Sequence, residues 1–201
     1  DSYAIVGDWE KSIEAYTHSF SIPNCQKINS DCYNDLPSCI GRSYQMKGEH
    51  AEAIEWMNKG IALNPKKLEP YYYLAESYMH LGDLAQAEHY FAQTADMDML
   101  HTGTSNQFDV IKMYSYFHLC TLYTNQQKYE KVIHWSTRLK DEYPEIVESR
   151  ILLGKCNLSM RKADEAIRWL EDAVKMNPTA DESAWQALLL AYEQKEDTIA
   201  L

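Results

Sequence analysis

The chain has 201 residues, of which 45% are hydrophobic and 12% aromatic, so it is long enough to bury a sizeable core. Its formal net charge is −11, with 30 acidic residues against 19 basic ones. Phosphate backbones are repelled by such a field, and no basic stripe interrupts it, so nucleic acid is excluded as an expected partner. No stretch approaches the roughly 18 apolar residues that cross a bilayer, and we expect no membrane insertion.

A fixed period of 34 residues runs through the sequence. A period of this length indicates an array of stacked helical units, because each unit buries its apolar faces on its neighbours. The array has an extended surface and is not built around a pocket. The recurring pairs are Tyr44 and Tyr78, Gly48 and Gly82, Ala53 and Ala87, Leu119 and Leu153, and Pro144 and Pro178.

Each period is predicted to contain two antiparallel helices. Gly48 and Gly82 suit the left-handed residue that ends the first helix of a unit. A small residue such as Ala87 lets the second helix approach the first closely. A proline then stops the second helix, because it lacks a backbone donor and clashes with the preceding turn. These stops are Pro65, Pro144 and Pro178.

In chain order, the period divides a single domain, 1–201, into units. The spacing is longer than 34 residues in two places, which locates insertions near 24–33 and 102–112. Either insertion can be a loop or a lengthened helix pair. Gln127 and Arg161 stand where glycine is expected. The predicted parts are a partial unit 1–33, units 34–67, 68–101, 113–146 and 147–180, an insertion 102–112, and a terminal helix 181–201, which we interpret as a cap or as part of a longer protein.

These residues resemble the tetratricopeptide repeat, and the resemblance covers most of the chain. It implies an all-α fold, a right-handed superhelical array of antiparallel helix pairs, whose concave face is lined by the first helix of each unit. It also implies a non-catalytic scaffold that binds a peptide or helix on this face, where aromatic rings concentrate. Individual rings, Tyr71 and Trp185 especially, can instead belong to the core between units. The predicted partner-binding residues are Arg42, Tyr72, Tyr73, Glu76, His80, Phe117, His118, Thr121 and Lys155.

One use of the family can be compared with this sequence directly. Repeats that hold the acidic C-terminal tails of heat-shock chaperones carry a lysine and an asparagine one turn apart in the first helix, with further basic residues. The matching positions here lack that clamp, so chaperone tails are not an expected partner. These positions are Ser38 and Arg42, Tyr72 and Glu76, and Phe117 and Thr121.

A narrower resemblance concerns residues 65–133. The tyrosine-rich run 65–75, the pair Gly82 and Asp83, and the stretch 108–114 are similar to the helical repeat region appended to some inverting, nucleotide-sugar-dependent glycosyltransferases. This resemblance implies an alternative function as an accessory region that aids assembly or acceptor presentation. The chain has no acidic motif for a nucleotide-sugar metal and no alternating strand–helix pattern. The chain alone is therefore predicted to be non-catalytic.

The remaining candidate chemistry is sparse. Five cysteines, an odd number without short paired spacing, argue against a disulfide framework and favour a reducing compartment, which we expect to be the cytoplasm. Cys25, Cys32 and Cys39 recur every seven residues, whereas metal sites usually pair cysteines two to four apart. The seven histidines are dispersed. We therefore predict no metal, no cofactor and no catalytic residue.

Overall fold

The structure, a computed structural model, describes residues 8–22, 30–97, 106–178 and 182–199. These ranges hold ten α-helices and no strand, which confirms the predicted all-α class. The helices are α1 (Trp9–Ser21), α2 (Ser30–Lys47), α3 (His50–Leu63), α4 (Glu69–His80), α5 (Leu84–Asp96), α6 (Asn106–Asn125), α7 (Tyr129–Glu142), α8 (Val147–Ser159), α9 (Ala163–Met176) and α10 (Glu182–Ile199).

The chain forms two compact units, residues 1–115 and residues 116–201. In the first unit, α2 packs against α1 and α3, and α4 packs against α3, α5 and α2. In the second unit, α8 packs against α7 and α9, and α10 packs against α9 and α8. Where the connection between successive helices is described, from α2 to α5 and from α6 to α9, it is a short turn, and such turns make neighbouring helices antiparallel, as the sequence predicts.

Four first helices end in the same left-handed turn. The expected glycines, Gly48 and Gly82, have φ values of 88° and 81°, and Gln127 and Arg161 adopt the same conformation at 56° and 57°. In each turn two backbone N–H groups donate back into the last helical turn, which is the Schellman arrangement. The bonds that span five residues of the chain run from Glu49 N to Tyr44 O, Asp83 N to Tyr78 O, Lys128 N to Tyr123 O and Lys162 N to Asn157 O, at 2.9, 3.0, 2.9 and 2.9 Å.

The start of the following helix is also encoded locally. The side chain of Asp83, directly after Gly82, accepts a hydrogen bond from the backbone N–H of Gln86 at 3.1 Å and so caps α5. Asp8 caps α1 in the same way through the N–H of Lys11 at 3.3 Å. A Gly–Asp pair therefore ends α4 and begins α5.

Small residues lie where the two helices of a pair approach closely. Ala53, Ala87 and Ala166 are all fully buried. Gly154 of α8 is packed so tightly against α9 that an added Cβ would lie 2.4 Å from Cγ of Leu170. The predicted role of small residues in helix pairing agrees with this packing.

Parts of both predicted insertions belong to helices. Residues 30–33 form the start of α2, and residues 106–112 form the start of α6. These two helices contain 18 and 20 residues, whereas α4 contains 12. Residues 23–29 and 98–105 lie outside the described residues. A lengthened first helix therefore accounts for part of the extra sequence in each place.

Within the described ranges, no cysteine forms a disulfide. Burial raises the pKa of Cys120 to about 11 and that of Cys156 to about 12, which keeps both protonated at neutral pH. Cys120 lies 3.3 Å from the hydroxyl of Ser136. Cys25 lies outside the described residues. Among the helices that the structure describes, none is both long and apolar enough to cross a membrane.

The first prediction concerns helix pairing. Ala87→Leu should lower the free energy of unfolding by about 1–3 kcal/mol, because three extra carbons must fit at a fully buried contact. Ala85→Leu makes the same change at an exposed position of α5 and should cost little. Chemical denaturation of both variants measures the difference, and equal losses would contradict this register of α5.

The second prediction concerns the left-handed turns. Arg161→Gly should raise the free energy of unfolding by about 0.5–1 kcal/mol, because this backbone region costs a residue with a Cβ about 1–2 kcal/mol. Part of the gain is offset by the larger freedom of glycine in the unfolded chain. Arg161→Ala removes the same side chain but keeps the Cβ, so it should bring no such gain. A glycine variant no more stable than the alanine variant would show that the turn is not strained.

Candidate partner-binding faces

Helices α2 and α4 lie side by side in the first unit and bring together several of the predicted residues. The guanidinium carbon of Arg42 lies 5.3 Å from the centroid of the Tyr73 ring. Arg42 is exposed and Tyr73 is half-buried. A cation over an aromatic face at such an exposed site contributes about 0.5–1 kcal/mol. We call the surface formed by Arg42, Tyr73, Glu76 and His80 the α2–α4 face.

The carboxylate of Glu76 is held from two sides. Gln45 Nε2, from α2, donates to one carboxylate oxygen at 3.2 Å and also lies 3.3 Å from the carbonyl oxygen of Tyr73. The Tyr72 hydroxyl donates to the other carboxylate oxygen at 2.9 Å. Hydrogen bonds to a charged acceptor are stronger than neutral ones, so Glu76 has a fixed orientation.

Tyr72 is largely an internal residue of the first unit. Its side chain is 8% exposed, and its ring packs edge-on against Phe91, with centroids 5.8 Å apart. Burial, followed by the nearby Glu76 carboxylate, raises the pKa of Tyr72 well above the usual range. The hydroxyl therefore keeps the proton that it donates to Glu76. Burial also raises the pKa of Tyr73. Direct contact of Tyr72 with a partner stays a prediction. In the structure, the Tyr72 hydroxyl helps to orient the Glu76 carboxylate.

His80, at the end of α4, stacks on His50, at the start of α3. The ring centroids are 4.5 Å apart and the planes differ by 9°. Nδ1 of His50 is buried without a hydrogen-bond partner. Burial first, and His80 second, lower the pKa of His50, whereas Glu76 acts in the opposite direction. His50 therefore resists protonation in the folded chain.

Sequence reasoning did not identify His50 as part of this surface. A signal was present, because antiparallel helices place residues at similar distances from their shared turn side by side. The turn between α3 and α4 covers residues 64–68, and His50 and His80 are at comparable distances from it. Pairing across a turn, applied in addition to the 34-residue period, would have found this contact.

The second unit holds the other predicted binding residues on two helices. Phe117, His118 and Thr121 belong to α6, and Lys155 belongs to α8. Thr121 is exposed, and its hydroxyl donates to the carbonyl oxygen of Phe117 at 2.9 Å. The ammonium of Lys155 donates to Ser183 of α10 at 2.9 Å. Phe117 and Lys155 are each half-buried, so part of each side chain stays accessible.

Tyr71 and Trp185, which the sequence also allows as core residues, differ in their exposure. Tyr71 is 6% exposed, and its hydroxyl donates to the carbonyl oxygen of Pro65 at 3.0 Å. Trp185 is 47% exposed. Tyr71 is therefore a core residue of the first unit, whereas Trp185 adds to the apolar surface of α10.

The side chains at the α2–α4 face offer groups for stacking and for hydrogen bonding. They combine aromatic rings, a guanidinium, a fixed carboxylate, an amide and an imidazole pair. Within the described ranges, no three histidine, cysteine, aspartate or glutamate side chains are placed to hold a metal ion. Such a surface can bind the polar backbone and the side chains of a peptide together.

Two protein families match parts of the sequence. The tetratricopeptide repeat matches residues 40–67. The family described as subunit 3 of the anaphase-promoting complex, or cyclosome, matches residues 112–173. No curated protein matches the sequence significantly.

Several solved structures share the fold. A crystal structure of MamA has a TM-score of 0.66 at 17% identity over 89% of this chain and 87% of that chain. A tetratricopeptide-repeat protein from Parabacteroides merdae has a TM-score of 0.66 at 14% identity over 97% and 70%. YrrB has a TM-score of 0.60 at 14% identity over 96% and 87%. At these identities the likeness shows the fold alone.

The family match, the 34-residue period and the repeated helix pairs agree with one another. Residues 40–67 match the tetratricopeptide repeat, and the chain has the fold of solved tetratricopeptide-repeat proteins, as its residues predict. The narrower resemblance of residues 65–133 to a repeat region of glycosyltransferases stays a prediction.

The third prediction concerns pH and the histidine stack. The folded-state pKa of His50 lies below its unfolded value of about 6.5. The unfolded chain therefore binds a proton more readily, and stability present above about pH 6.5 should be lost as pH falls through the lower folded-state pKa. His50→Gln should lose less stability than the parent between pH 7.5 and pH 5. His134→Gln, at an exposed position of α7, is the matched control. Urea unfolding at several pH values checks this, and parallel curves for parent and His50→Gln would contradict it.

Proposed function

We propose that this chain is a non-catalytic interaction module that binds a segment of a partner protein on the α2–α4 face. The proposal rests on two contacts between α2 and α4. Arg42 lies over the ring of Tyr73, and Gln45 donates a hydrogen bond to Glu76, so both contacts link two successive repeats. The tetratricopeptide repeat at residues 40–67 is consistent with a scaffold function. YrrB, a protein with the same fold, is a tetratricopeptide-repeat protein with an unusual peptide-binding site.

The side chains of the α2–α4 face need little further ordering when a partner binds. A tyrosine ring gives a large contact area with few rotatable bonds, and the cation of Arg42 already lies against that ring. The carboxylate of Glu76 is oriented by Gln45 and Tyr72 before any partner arrives. Since immobilising side chains costs binding free energy, a surface that is ordered in advance retains more of its contact energy.

The partner suited to this face is an extended or helical peptide with mixed character. An apolar or aromatic side chain would pack on Tyr73, and backbone or side-chain donors would reach Glu76. Acidic groups would meet Arg42, which is exposed at the edge of the face. A peptide with both an aromatic and an acidic residue is therefore the expected ligand class.

The second unit is proposed to contribute contacts of its own. Thr121 is exposed, and Phe117 and His118 are half-buried on the same helix. Lys155 is proposed to supply a cation from α8. These contacts are tested separately from the α2–α4 face, because each unit carries its own set of residues.

The fourth prediction tests the α2–α4 face. Peptides are selected against the chain from a displayed random library, and the affinity of the best one is measured by fluorescence anisotropy. Tyr73→Ala should weaken it by about 5–30-fold, the range of an aromatic hot spot of about 1–2 kcal/mol. Arg42→Ala should weaken it less, because Arg42 lies at the exposed edge. Phe117→Ala reports on the second unit in the same assay.

The control for this experiment lies in the same unit. Tyr90→Ala removes a half-buried ring of α5, which stacks on Tyr78 outside the α2–α4 face. It should leave the affinity within about twofold. Circular dichroism establishes that each variant is folded. If folded Tyr73→Ala and Arg42→Ala both bind as the parent does, the α2–α4 face is not the binding site.

A further inference from the structure

An open groove of about 530 Å³ lies between α1 and the C-terminal end of α2 in the first unit. Tyr44 and Lys47 of α2 line it. Arg42 and Gln45 of the same helix instead reach Tyr73 and Glu76 of α4. The groove is therefore distinct from the α2–α4 face.

The two walls of this groove differ in chemistry. Along α1, the exposed carboxylates of Glu10 and Glu14 lie one helical turn apart, with half-buried Ile13 beside them. Across the groove, the half-buried ring of Tyr44 provides apolar surface on α2. A third carboxylate, Glu49, lies at the end of the groove. The groove thus combines an apolar interior with an acidic rim.

One cation of the chain already occupies part of this rim. The ammonium of Lys47 lies 3.1 Å from Glu10 and 2.9 Å from Glu49. Three carboxylates against one ammonium leave an excess of two negative charges when His18 is neutral. Lys47 shows that an ammonium fits between Glu10 and Glu49. The excess negative charge favours the binding of further cations. A net charge of −11 on the whole chain also steers basic segments towards it.

We propose that this groove binds a basic segment of a partner protein with the pattern basic–apolar–basic. Glu10 and Glu14 are separated by about 6 Å along α1, from four residues at about 1.5 Å each. Residues i and i+2 of an extended segment point to one side and are about 6–7 Å apart, so two lysine or arginine residues match the two carboxylates. The residue between them points to the opposite side, into the apolar interior of the groove, where Ile13 and Tyr44 lie.

The experiment uses two fluorescein-labelled peptides of equal charge. One has the sequence Gly-Arg-Leu-Arg-Leu-Arg-Gly, and the other has serine in place of both leucines. Fluorescence anisotropy at about 150 mM salt measures the affinity of each for the full chain. The leucine peptide should bind at least about fivefold more tightly than the serine peptide, because only leucine buries apolar surface against Ile13 and Tyr44. Ile13→Ala should reduce this preference.

Matched charge changes separate a specific site from general attraction. The double variant Glu10→Gln and Glu14→Gln should weaken the leucine peptide at least tenfold. The double variant Glu130→Gln and Glu148→Gln removes the same charge from exposed positions of α7 and α8 and should change it less than twofold. Lys47 keeps Glu49 as a partner in the first variant, and circular dichroism checks that both variants fold.

Three results would overturn the proposal. Equal weakening by the two double variants would show that the peptide responds only to the net charge of the chain. Equal affinity for the two peptides would show that the apolar surface of the groove does not contribute to binding. No detectable binding at millimolar concentration would exclude the groove as a site for such segments. Tyr73→Ala should leave the leucine peptide unaffected, so this test does not depend on the α2–α4 face.

Discussion

The left-handed turn that ends the first helix of a repeat is the constraint on which the described structure depends. It reverses the chain within two or three residues, so the second helix must run back along the first. The turn satisfies carbonyl groups that the end of a helix would otherwise leave without partners. Because the same geometry occurs at four places, each of these helix pairs makes the same reversal. The fifth residue after the left-handed one is fully buried in every pair: Ala53, Ala87, Val132 and Ala166.

The left-handed position of this turn does not strictly require glycine. Glycine adopts the conformation at Gly48 and Gly82, whereas Gln127 and Arg161 adopt it in spite of their side chains. The packing of α6 to α9 in the second unit must therefore outweigh the local backbone cost there. Tertiary contacts, more than the intrinsic preference of one residue, fix the position of these two reversals.

The fold could be predicted because its signals are local and recur. The turn glycines and the small residues lie at fixed separations in the sequence, and each has a simple steric meaning. The binding surfaces depend on side-chain directions between helices, which a period does not give. Tyr72 and Tyr73 are neighbours in sequence, yet one is buried against Phe91 and the other remains half-exposed against Arg42. The groove beside α1 depends on the partial first unit, where the 34-residue register is interrupted.

The link between Gln45 and Glu76 makes the α2–α4 face a property of two repeats and not of one. Gln45 belongs to the first helix of one repeat, and Glu76 belongs to the first helix of the next. If the helices separate during local opening of the unit, the carboxylate loses the hydrogen bond from Gln45 and the face loses its ordered form. A partner that prefers the ordered face would therefore oppose this opening, so occupancy and the local cooperativity of neighbouring repeats become coupled.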